Sequence, residues 1–187
     1  MRIESFPEAE TPAALRSQVR ALHRQAWPGP DSEEGHDPAL RPVTMLLTSD
    51  GIVLSALAIL SKEIEHAGQR FAASGLSTVV TDTGQRGHGY GYGRTLVVAA
   101  RETLAAGQQD LAVFTCDRAL APFYQGAGWQ LLAGTVLVGG TAAEPFPSDQ
   151  FDKLTLGEFF SARAIAAADT FYGARIALHP GLRDRLW

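Results

Sequence analysis

Residues 79–93 read Val-Val-Thr-Asp-Thr-Gly-Gln-Arg-Gly-His-Gly-Tyr-Gly-Tyr-Gly. A β-branched run gives way to an arginine and then to a glycine at every second position. Val97, Ala100 and Leu104 follow at helical spacing. This order predicts a strand, a loop of exposed backbone N–H groups, and a helix whose N-terminus the loop surrounds. Such a loop binds phosphate or pyrophosphate. Arg86, Gly87, His88, Gly89, Tyr90 and Gly91 fit the pattern Arg-x-x-Gly-x-Gly. The glycines let anionic oxygens approach the main chain without meeting a Cβ, and Arg86 adds charge-assisted hydrogen bonds. No Gly-Lys-Ser/Thr follows, so the lysine and magnesium ligand of a Walker loop are missing. A dinucleotide fingerprint wants an acid about twenty positions on, at the end of a second strand. Asp110 instead precedes the next strand. On this motif alone, a glycine-rich turn that binds nothing is an open alternative.

Residues 117–129 read Asp-Arg-Ala-Leu-Ala-Pro-Phe-Tyr-Gln-Gly-Ala-Gly-Trp. With the glycine loop before it, the Phe-Tyr-x-x-x-Gly-Trp ending resembles the GNAT superfamily (Gcn5-related N-acetyltransferases), over roughly residues 10–140. The resemblance implies an α/β (α+β) fold. Its central mixed, mostly antiparallel sheet has about six to seven strands, is flanked by helices and is splayed where acyl-CoA binds. It implies acetyl-CoA as co-substrate, no metal, and a small-molecule primary amine as acceptor. The pantetheine arm would pair with the backbone of Val79, Val80 and Thr81, and the N–H of Val79 would stabilise the oxyanion. The main chain of residues 86–91 would take the pyrophosphate. Tyr124 would protonate the departing thiolate as general acid. A core aromatic is the alternative for Tyr124, because Leu120, Phe123, Tyr124 and Ala127 are themselves helically spaced.

The 187 residues fit one domain, with a core at about 10–140 and a C-terminal extension at about 150–187 lining the acceptor site. Hydrophobic residues make up 45% and charged residues 19%, an ordinary globular balance. A net charge of −4 with scattered basic residues argues against nucleic acid as the main partner. No apolar run is long enough for a membrane span and no secretion signal is evident. The single cysteine, Cys116, excludes an intrachain disulfide framework and fits a cytoplasmic protein, monomer or homodimer.

Thr11 and Pro12 read as a helix start, the hydroxyl capping, with Leu15, Val19, Leu22 and Ala26 forming one buried stripe over 11–27. Residues 31–42 read as an acidic loop: a solvated surface, or a wall for a cationic substrate. Two β-rich runs, 43–48 and 52–61, flank Ser49-Asp50-Gly51, a hairpin signal. Ala67-Gly68 turns the chain into a strand over 70–82. Gly107 ends the helix after the glycine loop. Strands are expected at 111–115, 129–138 and 152–156, a loop at 139–149, a helix at 161–168 and an extended piece at 174–178.

The sequence leaves the general base unassigned. Many relatives carry a glutamate on the strand ahead of the glycine loop, but here Gly75, Leu76, Ser77 and Thr78 stand there. Asp82, Glu63, Glu65 and His88 are the nearest titratable residues by sequence. Cys116 reads as a small buried hydrophobe, and Asp117 as a possible cap for the Phe-Tyr helix.

Residues 43–81 and the ending Gly-Leu-Arg-Asp-Arg-Leu-Trp also resemble aminoglycoside 2′-N-acetyltransferases. That likeness implies that Asp184 and the Trp187 carboxylate line the acceptor site, with Asp31 or Asp37 on the opposite wall. Ser77 departs from it, standing where those enzymes carry an acid. Two other classes stay open: a non-catalytic acyl-CoA sensor with a degenerate GNAT fold, and a nucleotide-phosphate binder using the same loop.

Overall fold

Two hairpins set the first half of the chain. Strands β2 (Val43–Ser49) and β3 (Ile52–His66) are joined by Asp50 and Gly51 at φ 52° and 80°. β3 and β4 (Gln69–Thr81) are joined by Ala67 and Gly68 at φ 49° and 74°. Two successive left-handed residues match the right-handed twist of antiparallel strands, so both turns fix their register locally.

In the computed structural model, residues 1–29, 35–85, 91–179 and 186–187 are described. Among them a seven-stranded sheet runs in the order β1-β2-β3-β4-β5-β9-β6, and a three-stranded sheet in the order β10-β7-β8. The new elements are β1 (Arg2–Pro7), β5 (Leu111–Asp117), β6 (Gln130–Leu131), β7 (Val136–Gly140), β8 (Pro145–Pro147), β9 (Lys153–Phe159) and β10 (Arg175–Ala177). The large sheet is mostly antiparallel and flanked by helices; β4 and β5 pair in parallel, at Ala73↔Leu111 and Ser74↔Ala112. The helices are α1 (Ala13–Ala26), α2 (Tyr92–Ala106), α3 (Ala121–Gly126) and α4 (Ala162–Ala167).

The chain divides into two units. The first is Met1–Leu60 with Leu76–Ala100, the second Ser61–Gly75 with Arg101–Trp187. In the first unit the α1 stripe of Leu15, Val19, Leu22 and Ala26 packs against Leu46, Val53, Ala56 and Val80. Burying a leucine such as Leu22 this way contributes about 1.5–3 kcal/mol. In the second unit Phe71, Leu111, Val113, Leu137, Phe171 and Ile176 form the core.

Four local readings need correction. Thr11 does not cap α1: the N-cap is Pro12, without a side-chain bond, and the buried Thr11 hydroxyl has no partner among the described residues. The Thr11 carbonyl instead accepts from Arg16 at 2.7 Å. The strand expected over 129–138 is two short strands, β6 and β7, interrupted around Gly134 at φ 74°. The loop expected at 139–149 holds the end of β7 and all of β8. β1, which pairs antiparallel with β2 from Arg2↔Thr48 to Pro7↔Val43, was not expected.

Gly75 in β4 lies against the Trp187 ring in the second unit. A Cβ there would clash with Trp187 Cγ. Lys62 also sits over this indole, 5.4 Å from its centroid. Gly75→Ala is therefore expected to destabilise the protein by about 1–3 kcal/mol through overpacking, or to expel Trp187. Thermal unfolding reads the first outcome and tryptophan emission the second; unchanged values for both would contradict the packing.

Candidate active site

The first unit contains a cavity of about 910 Å³ whose wall includes Glu8, His23, Trp27, His36, Leu57 and Thr78. Its sides come from the short 3₁₀ turn after β1, from α1, from residues around 35–44, and from β3 and β4. Thr78 gives β4 a special shape here. This β-branched residue has φ 48° inside a strand, where left-handed backbone is strained. One such residue turns the strand off its regular pleat, as in a bulge, and strain of this kind collects at functional sites.

β4 continues past Thr78 through Val79 and Val80 to Thr81. The Val80 carbonyl accepts from Ser55 Oγ at 2.7 Å, and Val80 itself is buried against α1. Asp82 caps the next turn, its Oδ1 accepting from the Gly84 N–H at 3.0 Å. The chain enters α2 at Gly91, which has φ 67° and whose carbonyl accepts from the Thr95 N–H at 2.9 Å. Among the described atoms nothing lies within 4 Å of where a Gly91 side chain would begin. Arg86, Gly87, His88, Gly89 and Tyr90 lie outside the described residues, as do Asp31 and Asp184.

Beside this cavity three residues that sequence reasoning did not connect come together: Glu8 and His36 of its wall, and Ser77 of β4. His36 Nδ1 lies 2.5 Å from Glu8 Oε2, the His36 backbone N–H donates to Glu8 Oε1 at 2.9 Å, and His36 Nε2 lies 3.1 Å from Ser77 Oγ. The His36 side chain is 9% exposed. Burial raises the Glu8 carboxyl, but the hydrogen bonds and charge of His36 outweigh it and leave Glu8 below the usual carboxylate range. His23 is held below the ordinary imidazole value, first by burial and then by His36. Asp37 caps a short 3₁₀ turn, accepting from the Ala39 N–H at 2.9 Å.

In the second unit Tyr124 sits on α3, buried at 6% exposure. Its ring meets Phe114 edge-on at 5.2 Å, and Phe114 meets Trp129 at 4.9 Å. The helix ends tightly: Gly128 has φ 92°, and the Ala127 and Trp129 N–H groups both bond the Tyr124 carbonyl. Burial, then Cys116 and Asp117, push the phenol well above the usual tyrosine value. Asp117 makes no cap bond; its carboxylate pairs with Lys153 Nζ at 2.7 Å. Cys116 is buried and its thiol is pushed up to about 11, chiefly by burial and then by Asp117. That is the wrong direction for a nucleophile. Trp187 packs against the second unit's core. Among the described residues, no group of three or more His, Cys, Asp or Glu is arranged to hold a metal ion. No helix among them is long and apolar enough to cross a membrane.

The acetyltransferase (GNAT) domain model matches residues 2–132, and the chain belongs to that family. No curated protein sequence matches it. Solved structures share the fold. An aminoglycoside 6′-N-acetyltransferase complexed with coenzyme A aligns at a TM-score of 0.59 and 13% identity, over 87% of this chain and 99% of that one. ElaA from Escherichia coli aligns at 0.55 and 13% identity, over 84% and 99%. An acyl-CoA N-acyltransferase from Pseudomonas aeruginosa aligns at 0.55 and 15% identity, over 84% and 99%.

Proposed function

We propose that this protein transfers the acetyl group of acetyl-CoA to a primary amine of a small molecule. The observation that carries the reading is β4: it runs past its last registered pair with β5 at Ser74↔Ala112, is turned at Thr78, and ends at Thr81 ahead of α2. Main-chain groups of Val79, Val80 and Thr81 would pair with the pantetheine amides. Residues 86–91 would hold the pyrophosphate at the α2 N-terminus. The Val79 N–H would stabilise the oxyanion as the amine attacks the thioester carbonyl. The C–N bond forms, the C–S bond breaks, and Tyr124 gives the thiolate its proton. A phenol held neutral by burial suits that role.

An aminoglycoside acceptor is the narrower reading, with Asp31, Asp37, Asp184 and the Trp187 carboxylate receiving a polycation. The described cavity wall weighs against it, because it carries Arg16, Arg20 and Arg41 against Glu8. Thiol release from acetyl-CoA, measured against polyamines, aminoglycosides, amino acids and peptides, tests both levels. Turnover of some small amine is expected. Aminoglycosides left unacetylated would remove the narrow reading only. Binding of acetyl-CoA with no thiol release from any amine would replace the enzyme by an acyl-CoA sensor. Preference for ATP over coenzyme A would remove both.

A further inference from the structure

We propose that His36, oriented by Glu8 and hydrogen-bonded to Ser77, receives the proton that the acceptor amine must lose, with the Ser77 hydroxyl passing it on. This rests on the transferase reading above and supplies the base that residues 75–78 do not contain.

The geometry dictates the direction of proton flow. Glu8 grips His36 at two atoms, the backbone N–H and Nδ1. An ionised carboxylate accepts only, so Nδ1 carries the donated hydrogen and Nε2 is left with its lone pair. That lone pair faces Ser77 Oγ. The serine hydroxyl then donates to His36 and keeps its own lone pairs for an incoming N–H, with Glu8, His36 and the neighbouring Thr78 lining the cavity beside it. Ser77 lies on β4 two residues ahead of Val79, so the relay and the proposed oxyanion donor share one strand. Nucleophile-like hydroxyl, base and orienting carboxylate follow the general logic of activated sites.

The proton balance closes. An ammonium N–H passes to Ser77 Oγ as the Ser77 proton moves to His36 Nε2. The freed nitrogen lone pair forms the amide bond, the thiolate leaves with the Tyr124 proton, and both protein groups re-equilibrate with solvent. The cavity wall that holds His36 also carries Glu8 from the turn after β1, His23, Arg16 and Arg20 from α1, and Arg41 ahead of β2. Burial, and then His36, hold His23 below the ordinary imidazole value.

The test compares the full-length wild type with His36→Gln, Glu8→Gln and Ser77→Ala, using the fastest amine of the panel across pH. His36→Gln should lower kcat by about 100-fold at neutral pH, with acetyl-CoA affinity by calorimetry unchanged. It should also remove the acidic limb of the kcat/KM profile. Its deficit should shrink with a weakly basic amine, which arrives already neutral. Glu8→Gln should keep an acidic limb but displace it, because the anion facing the imidazole is gone. Ser77→Ala should show a smaller loss with the limb retained, as water takes the place of the hydroxyl. A His36→Gln enzyme with wild-type kcat and limb would overturn the inference, as would a deficit independent of acceptor basicity, which marks a packing role. Acetylation of Ser77 by acetyl-CoA alone, seen by intact mass, would overturn the relay in favour of a nucleophile. If the wild type releases no thiol with any amine, the transferase reading itself falls and takes this one with it.

Discussion

Tyr124→Phe is expected to lower turnover by about 100- to 1,000-fold while acetyl-CoA affinity stays near wild type. The substitution deletes one hydroxyl and keeps the ring, so the edge-on contacts with Phe114 at 5.2 Å and Phe123 at 5.0 Å survive. Folding should be almost untouched for the same reason. The departing thiolate would then leave without a donor, which touches the chemical step and not the binding of the coenzyme. Steady-state kinetics with calorimetry separates the two. A variant that turns over at the wild-type rate would reduce Tyr124 to a core aromatic.

Asp110→Ala is expected to destabilise the second unit. Asp110 is 6% exposed, yet it ties three pieces of chain together within the second unit. Its Oδ2 accepts from the Ala72 N–H at 2.7 Å, and Arg163 holds both carboxylate oxygens. Its own carbonyl accepts from the Phe160 and Ser161 N–H groups at 2.8 and 3.1 Å. Removing the carboxylate leaves the Ala72 N–H without its acceptor, costing about 1–3 kcal/mol, or roughly 3–10 °C in Tm at this size. The Arg163 hydrogen bonds, which outweigh burial, hold this carboxyl well below the usual range. A lowered folded-state value means that the stabilisation is fully present above the unfolded carboxylate value of about 4. It is lost as pH falls from there through the folded value. The gap between wild type and Asp110→Ala should therefore be constant near neutrality and narrow in acid. Unfolding midpoints from pH 7 downwards check this; a gap that widened in acid would contradict the pairing.

What was legible in the chain follows from how local each signal is. Asp50-Gly51 and Ala67-Gly68 carry left-handed residues, so both hairpins could be read from dipeptides. The α1 stripe is a period of one helix turn, and Ser161 caps α4 through the Ala164 N–H. β1 stayed hidden because its strand is half exposed and mixes charge with apolar residues; only its pairing with β2 makes it a strand. β8 is three residues, too short for any alternation to show, whereas β10 falls inside the extended piece expected at 174–178. Pro12 and Thr11 misled because a hydroxyl before a proline is also free to turn inward. The Glu8–His36–Ser77 contact was invisible for a different reason. His36 is 28 residues from Glu8 and 41 from Ser77, and no spacing rule links them before the sheet is assembled. The missing strand glutamate was a real signal, but it pointed to a gap without saying what fills it.

The state of Cys116 has a practical consequence. The chain's one sulfhydryl is shut away and strongly protonated. A chromogenic disulfide reagent added to the acceptor assay should therefore count liberated coenzyme with little colour contributed by the protein itself. Even slow acceptors, near one turnover per molecule, should then rise above background.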